Sequence, residues 1–334
     1  MLKRNLARAL LVALALVFGS AAFAQEAPPP TKDFPTFIAE VKAEAMAAGL
    51  KPETAAMLDD IQPIERVVEF DRRQPEFTLT FEQYLSHVMT PQRVAKGRKL
   101  MAENKAVLAA IEKRYGVQAR FVVALWGIES GFGTSMGSYP VVASLATLAW
   151  EGRRAAFFRG ELLNALRILD QGHIRPEAML GSWAGAMGQV QFMPSTFLKY
   201  AQDWTGDGRR DIWTTRADAL ASAANYLSSL GWKADEGWGR PVRLPAKFDR
   251  KLIGLDTRKS FGEWAKLGVK AANGKPLPHR PQEASLVMAV AGKDPAATGP
   301  VFLVTDNFRA VMKWNRSTFF ALAAGHLADK IGHR

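Results

Sequence analysis

The sequence predicts an α+β fold that is mostly helical. Apolar residues recur at helical spacing from Phe34 to about Tyr115 and again over 308–331. Between about Gly231 and Asn307, Pro and Gly become frequent and short β-prone runs appear, "ASLVMAVA" and "GPVFLVT". This order of segments predicts a small antiparallel sheet inserted in a helical protein.

The first 24 residues have the layout of a secretory signal peptide. Basic residues precede the apolar run 9–18, and small residues at Ala22 and Ala24 predict cleavage after Ala24. A membrane anchor is the alternative, but the run is shorter than the ~20 residues that a helix needs to span a bilayer. Segment 25–33 contains three consecutive prolines and is predicted to be an extended linker.

The composition limits the cellular compartment that we expect for the protein and the kinds of partner that it can bind. The chain has 334 residues, no cysteine and a net charge of +12, which falls to +9 without the three basic residues of the signal peptide. Without cysteine there is neither a disulfide nor a lipid anchor on a processed N-terminal Cys. A basic surface favours polyanions, but export and the lack of a basic tract argue against nucleic acid. We therefore expect a periplasmic monomer with no membrane anchor after cleavage.

The helical segment 34–115 begins with Phe37, Val41 and Ala45, which lie one turn apart. Thr90–Pro91 predicts a helix cap followed by proline at the first helical position. One apolar stripe then continues over Val94, Met101, Leu108 and Ile111.

These patterns divide the mature chain into four predicted segments. The predicted segments are a helical domain 34–115, a core segment 116–232 that is again helical in spacing, a β-rich domain 233–307 and a C-terminal helix 308–334.

Glu129 lies in the apolar run "ALWGIESGFG". Phe121, Leu125 and Ile128 predict a buried helix face, and the glycines that follow predict the end of that helix. Desolvation and the negative end of the helix dipole would both raise the pKa of Glu129, as a general acid requires. An exposed glutamate at a helix end remains the alternative from this stretch alone.

Longer stretches resemble the lytic murein transglycosylase B family. The resemblance runs from Phe34 to Ile331, and it is carried by "ALWGIESGFGTSMGSYPVVASLATLAW", "GSWAGAMGQVQFMPSTFLKYAQDWTGDGRRDIW", "ADALASAANYLSSLGW" and "NFRAVMKWNRSTFFALAAGHLADKI". It implies a lysozyme-like fold, in which the catalytic core, a helical domain and a small β domain surround a groove.

The resemblance also implies an activity. Glu129 would be the only catalytic carboxylate, acting as acid and then base on the β-1,4 bond between MurNAc and GlcNAc of peptidoglycan glycan strands. The product would carry 1,6-anhydroMurNAc ends, and the chemistry would need no cofactor. Other cell-wall enzymes are expected partners. The alternatives are a hydrolytic muramidase, a non-catalytic peptidoglycan-binding protein and, in a third class, a basic calcium-responsive binding protein.

The same resemblance assigns substrate-binding residues in the groove: Ser182, Gln191, Tyr226, Trp314, Asn315 and Phe320. Trp314 and Phe320 stand where some members have tyrosines, so stacking on sugar rings would remain without the hydroxyl contacts. For Gln189, a packing role within the Gly-rich segment is the main alternative to a place in the groove.

The stretch "DWTGDGRRDIWT" has the start of an EF-hand loop. Oxygen side chains at Asp203, Thr205 and Asp207 precede a glycine at the sixth position, and the Arg209 carbonyl would fill the seventh. The twelfth position is a threonine rather than the expected Glu. From spacing alone, a plain Asp/Gly turn explains the stretch equally well.

The family resemblance favours calcium. Its members carry a longer loop with a later closing carboxylate, and Asp218 matches that position. We therefore expect a structural calcium ion of modest affinity, with Thr205 in place of an Asp found in stronger sites.

Overall fold

A computed structural model describes residues 32–72, 79–290 and 298–332. The predicted signal peptide and most of the predicted linker lie outside the described residues. The described residues divide into two compact units, each discontinuous in sequence: the first contains 32–72 and 125–226, and the second contains 79–124, 227–290 and 298–332. The division into four predicted segments, each continuous in sequence, stays a prediction.

The first unit is built almost entirely from helices. They are Phe34–Ala47, Pro52–Ala56, Glu65–Arg72, Val141–Glu151, Ala155–Asp170 and Pro194–Tyr200, with a 3-10 turn at Pro176–Ala178. Strands β1 (Tyr139–Pro140) and β2 (Leu180–Gly181) form a short antiparallel pair. Two of the three boundaries between the units fall within two further helices, Ala119–Ser130 and Arg216–Ser229, and the third falls outside the described residues.

Capping and burial explain the helices at the start of the first unit. Asp33 accepts a hydrogen bond from the Thr36 N–H at 2.8 Å and so caps the first helix. The predicted stripe of Phe37, Val41 and Ala45 is buried, which confirms the helical periodicity.

Two helices, Val141–Glu151 and Ala155–Asp170, form much of the interior of the first unit. Leu145, Leu162 and Leu166 are fully buried, and each such side chain contributes about 1.5–3 kcal/mol to stability.

An ion cluster around the buried Asp71 holds helix Glu65–Arg72 to the segment that joins those two helices. Asp71 is 1% exposed and accepts two hydrogen bonds from Arg153 and one from Arg154, all at 2.7 Å. Burial alone would raise the pKa of Asp71, but the hydrogen bonds and charges of the two arginines hold it below its usual value. Asp71 is therefore an ionised structural group.

The second unit contains the helices Phe81–Val88, Pro91–Glu103, Lys105–Tyr115, Phe261–Lys266, Asp306–Trp314 and Thr318–Gly332, with a 3-10 turn at Arg250–Leu252. Thr90 caps one of them by accepting the Arg93 N–H at 3.2 Å, as predicted. The predicted single stripe over 94–111 is instead divided between two helices, because the chain turns at Asn104.

The predicted antiparallel sheet is present in the second unit. Its strands are β3 (Gly239–Arg243), β4 (Gly254–Ser260), β5 (Lys270–Ala271), β6 (Glu283–Met288) and β7 (Val301–Val304), in the order β4-β6-β7-β3-β5. The two β-prone runs of the sequence became neighbours, with Leu286 opposite Leu303. Phe261 and Trp264 of the short helix after β4 pack on one face of the sheet.

The predicted C-terminal helix is interrupted. Helix Asp306–Trp314 ends at Asn315, which has an extended backbone (φ −142°, ψ 120°), and helix Thr318–Gly332 follows. The Asn315 side chain accepts the Ser317 N–H at 3.1 Å, a local bond that competes with helix continuation. Within the described residues, no helix is long and apolar enough to span a membrane.

Candidate active site

Glu129 lies in the last turn of helix Ala119–Ser130 and is 4% exposed. The preceding residues Phe121 to Trp126 are all buried, so the helix carries this carboxyl group into an apolar interior. The predicted location, a buried helix end, is confirmed. The catalytic role assigned to Glu129 stays a prediction.

A left-handed turn ends this helix directly after Ser130. Gly131, Phe132 and Gly133 have φ values of 59°, 63° and 79°, a region that favours glycine and is uncommon for phenylalanine. The Phe132 ring lies over Gly127, where a Cβ atom would come within 2.7 Å of the ring. The ring also packs edge-on against Trp126, with centroids 5.4 Å apart. The glycines of "GIESGFG" thus allow the chain to reverse tightly beside Glu129.

Ser182 lies in a tight turn of the buried segment 181–190. Its Oγ accepts the Ala186 N–H at 3.0 Å, and its backbone N–H donates to the Ala186 carbonyl at 2.8 Å. Gly185, with φ 86°, closes the turn against Leu145. The Ser182 hydroxyl therefore already holds this turn, whatever it contributes to substrate binding.

Gln191 has an unusual backbone and an unpaired oxygen. Its φ is 50°, and its Nε2 donates to the Met136 carbonyl at 3.0 Å and the Gly188 carbonyl at 2.8 Å. Because both partners are acceptors, the orientation of the amide is determined. Its Oε1 is buried and has no hydrogen-bond partner among the described residues. Such an acceptor suits a hydroxyl or acetamido N–H of a ligand.

Tyr226 is half-buried and lies close to the segment that carries Gln191. Its ring stacks on Tyr200 at 4.5 Å and meets Phe192 edge-on at 5.4 Å. Burial, and secondarily Tyr200, raise the pKa of Tyr226, so its hydroxyl stays protonated and can donate a hydrogen bond.

Trp314, Asn315 and Phe320 belong to the second unit. Trp314 is half-buried. Asn315 is buried, and its Nδ2 has no partner among the described residues, whereas its Oδ1 is held by Ser317. Phe320 is only 3% exposed, so it presents little ring surface for stacking on a sugar. Its place among the substrate-binding residues stays a prediction.

The predicted calcium loop lies between helices Pro194–Tyr200 and Arg216–Ser229. The Asp203 carboxylate accepts backbone N–H groups from three loop residues: Gly206 at 2.6 Å, Asp207 at 3.2 Å and Gly208 at 2.8 Å. Thr205 donates to Asp203, and Asp207 accepts the Arg209 N–H at 2.9 Å. The loop is thus closed by its own hydrogen bonds.

Asp218 points its carboxylate at the loop backbone. One oxygen accepts the N–H groups of Trp204 at 2.9 Å and Thr205 at 3.3 Å, and the other accepts that of Asp211 at 3.0 Å. Burial raises the pKa of Asp218, as does nearby Asp203, while the three N–H donors act in the opposite direction. In the described parts of the chain, no group of three or more His, Cys, Asp or Glu side chains is arranged to hold a metal ion. The predicted calcium site, with Asp203, Thr205, Asp207, the Arg209 carbonyl and Asp218 as ligands, stays a prediction.

Sequence reasoning gave no role to Ser130 or to the link between His173 and Arg210. Ser130 Oγ donates to the Gln189 carbonyl at 2.6 Å. The Arg210 guanidinium lies against the His173 ring and donates to the Leu198 carbonyl at 3.1 Å, so it anchors the loop after Asp207. Ser130 and Arg210 can be seen in the sequence as polar residues, but nothing local indicates what they bind, because their partners Gln189 and His173 are distant in the chain.

Comparisons with known proteins agree with the sequence resemblance. The chain matches the transglycosylase SLT domain family over residues 33–329. It is 32% identical to membrane-bound lytic murein transglycosylase B of Escherichia coli (strain K12) over 256 residues, or 75% of this chain. The match spans 66% of that protein, just under two thirds of its length.

Solved structures extend the comparison to the fold. SltB3 from Pseudomonas aeruginosa in complex with NAG-anhNAM-pentapeptide is 46% identical, with a TM-score of 0.85 over 90% of this chain and 80% of that chain. Escherichia coli Slt35 in complex with calcium is 26% identical, with a TM-score of 0.74 over 93% of this chain and 98% of that chain. The predicted α+β, mostly helical, lysozyme-like fold class is confirmed.

Proposed function

The chain belongs to the transglycosylase SLT domain family, and from that premise we propose that it is a lytic transglycosylase of peptidoglycan. The SltB3 structures contain muropeptides with either an anhydro or an ordinary muramic end. By analogy, the substrate is the glycan strand of peptidoglycan, cleaved between MurNAc and GlcNAc.

The position of Glu129 carries this proposal. Among the described residues of the first unit, five other carboxylates are buried, namely Asp71, Glu151, Glu161, Asp211 and Asp218. Each of these five is engaged by structural partners: arginines for Asp71 and Glu151, Ser195 for Glu161, and backbone N–H groups for Asp211 and Asp218. Glu129 is buried as well, and it lies in the last turn of a helix after an apolar run, a position that suits a proton donor.

The proposed reaction needs one acid and no water. Glu129 donates its proton to the glycosidic oxygen, the bond from C1 of MurNAc to that oxygen breaks, and the released GlcNAc end gains a hydroxyl group. The carbonyl oxygen of the muramic N-acetyl group bonds to C1 in the intermediate. The C6 hydroxyl oxygen then attacks C1 and displaces that oxygen, while its proton returns to Glu129. Atoms balance, and the product is a 1,6-anhydro end.

Two unpaired atoms fit a role in holding the substrate. Gln191 Oε1 can accept a hydrogen bond from the sugar, and Asn315 Nδ2 can donate one. Ser182, Tyr226, Trp314 and Phe320 complete the proposed binding set by family resemblance. We assign no step of the reaction to calcium.

The segment before residue 25 has the layout of a signal peptide, and we therefore propose a periplasmic location.

The test is digestion of purified peptidoglycan followed by mass spectrometry. We expect anhydro-ended muropeptides from the wild type, and Glu129→Gln should lower the rate by about 10²–10⁴-fold, the usual contribution of general acid–base catalysis. Glu177→Gln, an exposed change in the same unit, is the matched control and should retain activity. Products with only reducing ends would instead indicate a hydrolytic muramidase, and binding without products a non-catalytic wall-binding protein.

A further inference from the structure

Gln189 joins two separate parts of the first unit through its side chain. The residue is 6% exposed. Its Oε1 accepts the Trp126 indole N–H at 3.0 Å, and its Nε2 donates to the Trp213 carbonyl at 3.1 Å. Since the indole can only donate and the carbonyl can only accept, the amide has one consistent orientation.

The backbone of Gln189 makes the same connection. Its N–H donates to the Ile212 carbonyl at 2.9 Å, and its carbonyl accepts the Ser130 hydroxyl at 2.6 Å. Every polar group of Gln189 is therefore used, two toward helix Ala119–Ser130 and two toward segment 212–213. Trp126 lies one turn before Glu129, and Ser130 directly follows it. The two bonds thus bracket the carboxyl-bearing residue.

The turn after the helix is shaped to admit this amide. Ser130 Oγ also accepts the Gly133 N–H at 2.9 Å. A Cβ atom at Gly133 would lie 2.8 Å from Gln189 Oε1, so only glycine allows the turn to close against the amide. Helix end, turn and amide are therefore packed directly against one another.

We infer that Gln189 is a positioning residue that holds the helix end carrying Glu129 in register with segment 212–213. This inference rests on the proposed function, because the effect of Gln189 is measured as the rate of the proposed reaction. A misplacement of about 1 Å in a catalytic group can lower a rate about 100-fold. Loss of the two side-chain bonds should therefore affect the chemical step more than substrate binding.

The first experiment compares steady-state kinetics of Gln189→Met with the wild type on soluble glycan strands. Methionine has a similar length but neither a donor nor an acceptor of comparable strength. We expect kcat to fall about 10- to 100-fold with KM within about twofold. Thr147→Val is the matched control, because it removes a buried hydroxyl that bonds to Ile64 and Ala143 in the same unit, away from Glu129. Its kcat should stay near the wild-type value.

A second variant covers the case in which Gln189→Met does not fold. Gln189→Glu keeps the acceptor for Trp126, and its protonated form can also donate to the Trp213 carbonyl. Its kcat relative to the wild type should therefore rise as the pH is lowered, a response that general instability would not produce.

Three outcomes would overturn the inference. They are an unchanged kcat in Gln189→Met, a rise in KM alone, or a ratio of Gln189→Glu to wild-type kcat that does not change with pH. A wild type that forms no anhydro ends would instead contradict the proposed function itself, so the two failures are distinguishable.

Discussion

Two residues assigned to substrate binding each leave one polar atom buried and unpaired. Gln191 has an unpartnered Oε1, and Asn315 has an unpartnered Nδ2, within the described chain. A buried polar atom without a partner costs about 1–3 kcal/mol, so these atoms suit positions that a ligand completes. The same condition occurs at His326 Nε2, where no substrate role is predicted, so orphaned atoms alone do not identify a site.

His326 is enclosed by aromatic rings in the second unit. Ring centroids of Trp238, Phe302 and Phe81 lie 5.0, 5.4 and 6.4 Å from the imidazole. Burial lowers the pKa of His326; on the same helix, Asp329 opposes this effect and Lys330 adds to it. The folded protein therefore keeps the ring neutral at pH values where an exposed histidine begins to take up a proton.

The sign of the pH dependence follows from this shift. Below about pH 6.5 the unfolded chain binds a proton that folded His326 does not, so stability falls with decreasing pH until the folded pKa is reached. One such group contributes a slope of up to about 1.4 kcal/mol per pH unit. His326→Leu should reduce this slope, measured as the free energy of urea unfolding between pH 7 and pH 5. His279→Leu, at an exposed histidine, should leave it unchanged. Equal slopes in the wild type and His326→Leu would contradict the argument.

At the level of elements, the sequence predicts best where local pattern and burial agree. The stripe of Phe37, Val41 and Ala45, the cap at Thr90 and the pairing strands β6 and β7 were all visible as local signals. The break at Asn315 was not, because a local side-chain bond competes there with an apolar periodicity that continues on both sides.

The loop 203–218 is a second case, in which the sequence leaves two explanations open. Spacing of Asp203, Thr205 and Asp207 resembles a calcium loop, yet the closing carboxylate, Asp218, is occupied by backbone N–H groups of Trp204, Thr205 and Asp211. The same residue types can hold a cation or satisfy a turn, and only the geometry separates the two uses.

Asp218 should therefore stabilise the protein without metal. Asp218→Ala leaves three backbone N–H groups without an acceptor and should lower the free energy of unfolding by roughly 3 kcal/mol. The measurement is thermal or urea unfolding in excess chelator. Asp218→Asn is the matched variant, since it keeps one acceptor oxygen and should lose less. If Asp218→Ala equals the wild type in chelator and differs only after calcium is added, the residue acts as a metal ligand and this explanation is wrong.

For the whole molecule, the sequence order of segments does not reveal the two units. Each unit combines distant stretches of the chain, and two of the boundaries lie inside helices Ala119–Ser130 and Arg216–Ser229. Hydrophobic periodicity is a local property and continues through both of these helices, so it does not indicate where one unit ends and the other begins. The candidate site shares this limit: Glu129 could be singled out from its own neighbours, whereas the link from Ser130 to Gln189 joins residues 59 positions apart.

Net charge is the property of the whole molecule that should act on wall binding. The formal charge is +12, or +9 without the predicted signal peptide, and peptide stems and other wall polymers carry carboxylates or other anions. Attraction between exposed charges is screened over about 10 Å at 0.1 M salt and about 3 Å at 1 M. Binding to intact wall should therefore weaken strongly as salt increases.

The test uses the Glu129→Gln variant, so that the wall is not digested during the measurement. Its retention on insoluble peptidoglycan should fall by about tenfold or more between 0.05 and 0.5 M NaCl, measured by co-sedimentation. Insoluble chitin, an uncharged polymer of related sugars, is the matched control and should show weak retention with little salt dependence. Retention on peptidoglycan that does not change with salt would mean that groove contacts alone, rather than the basic surface, hold the protein on the wall.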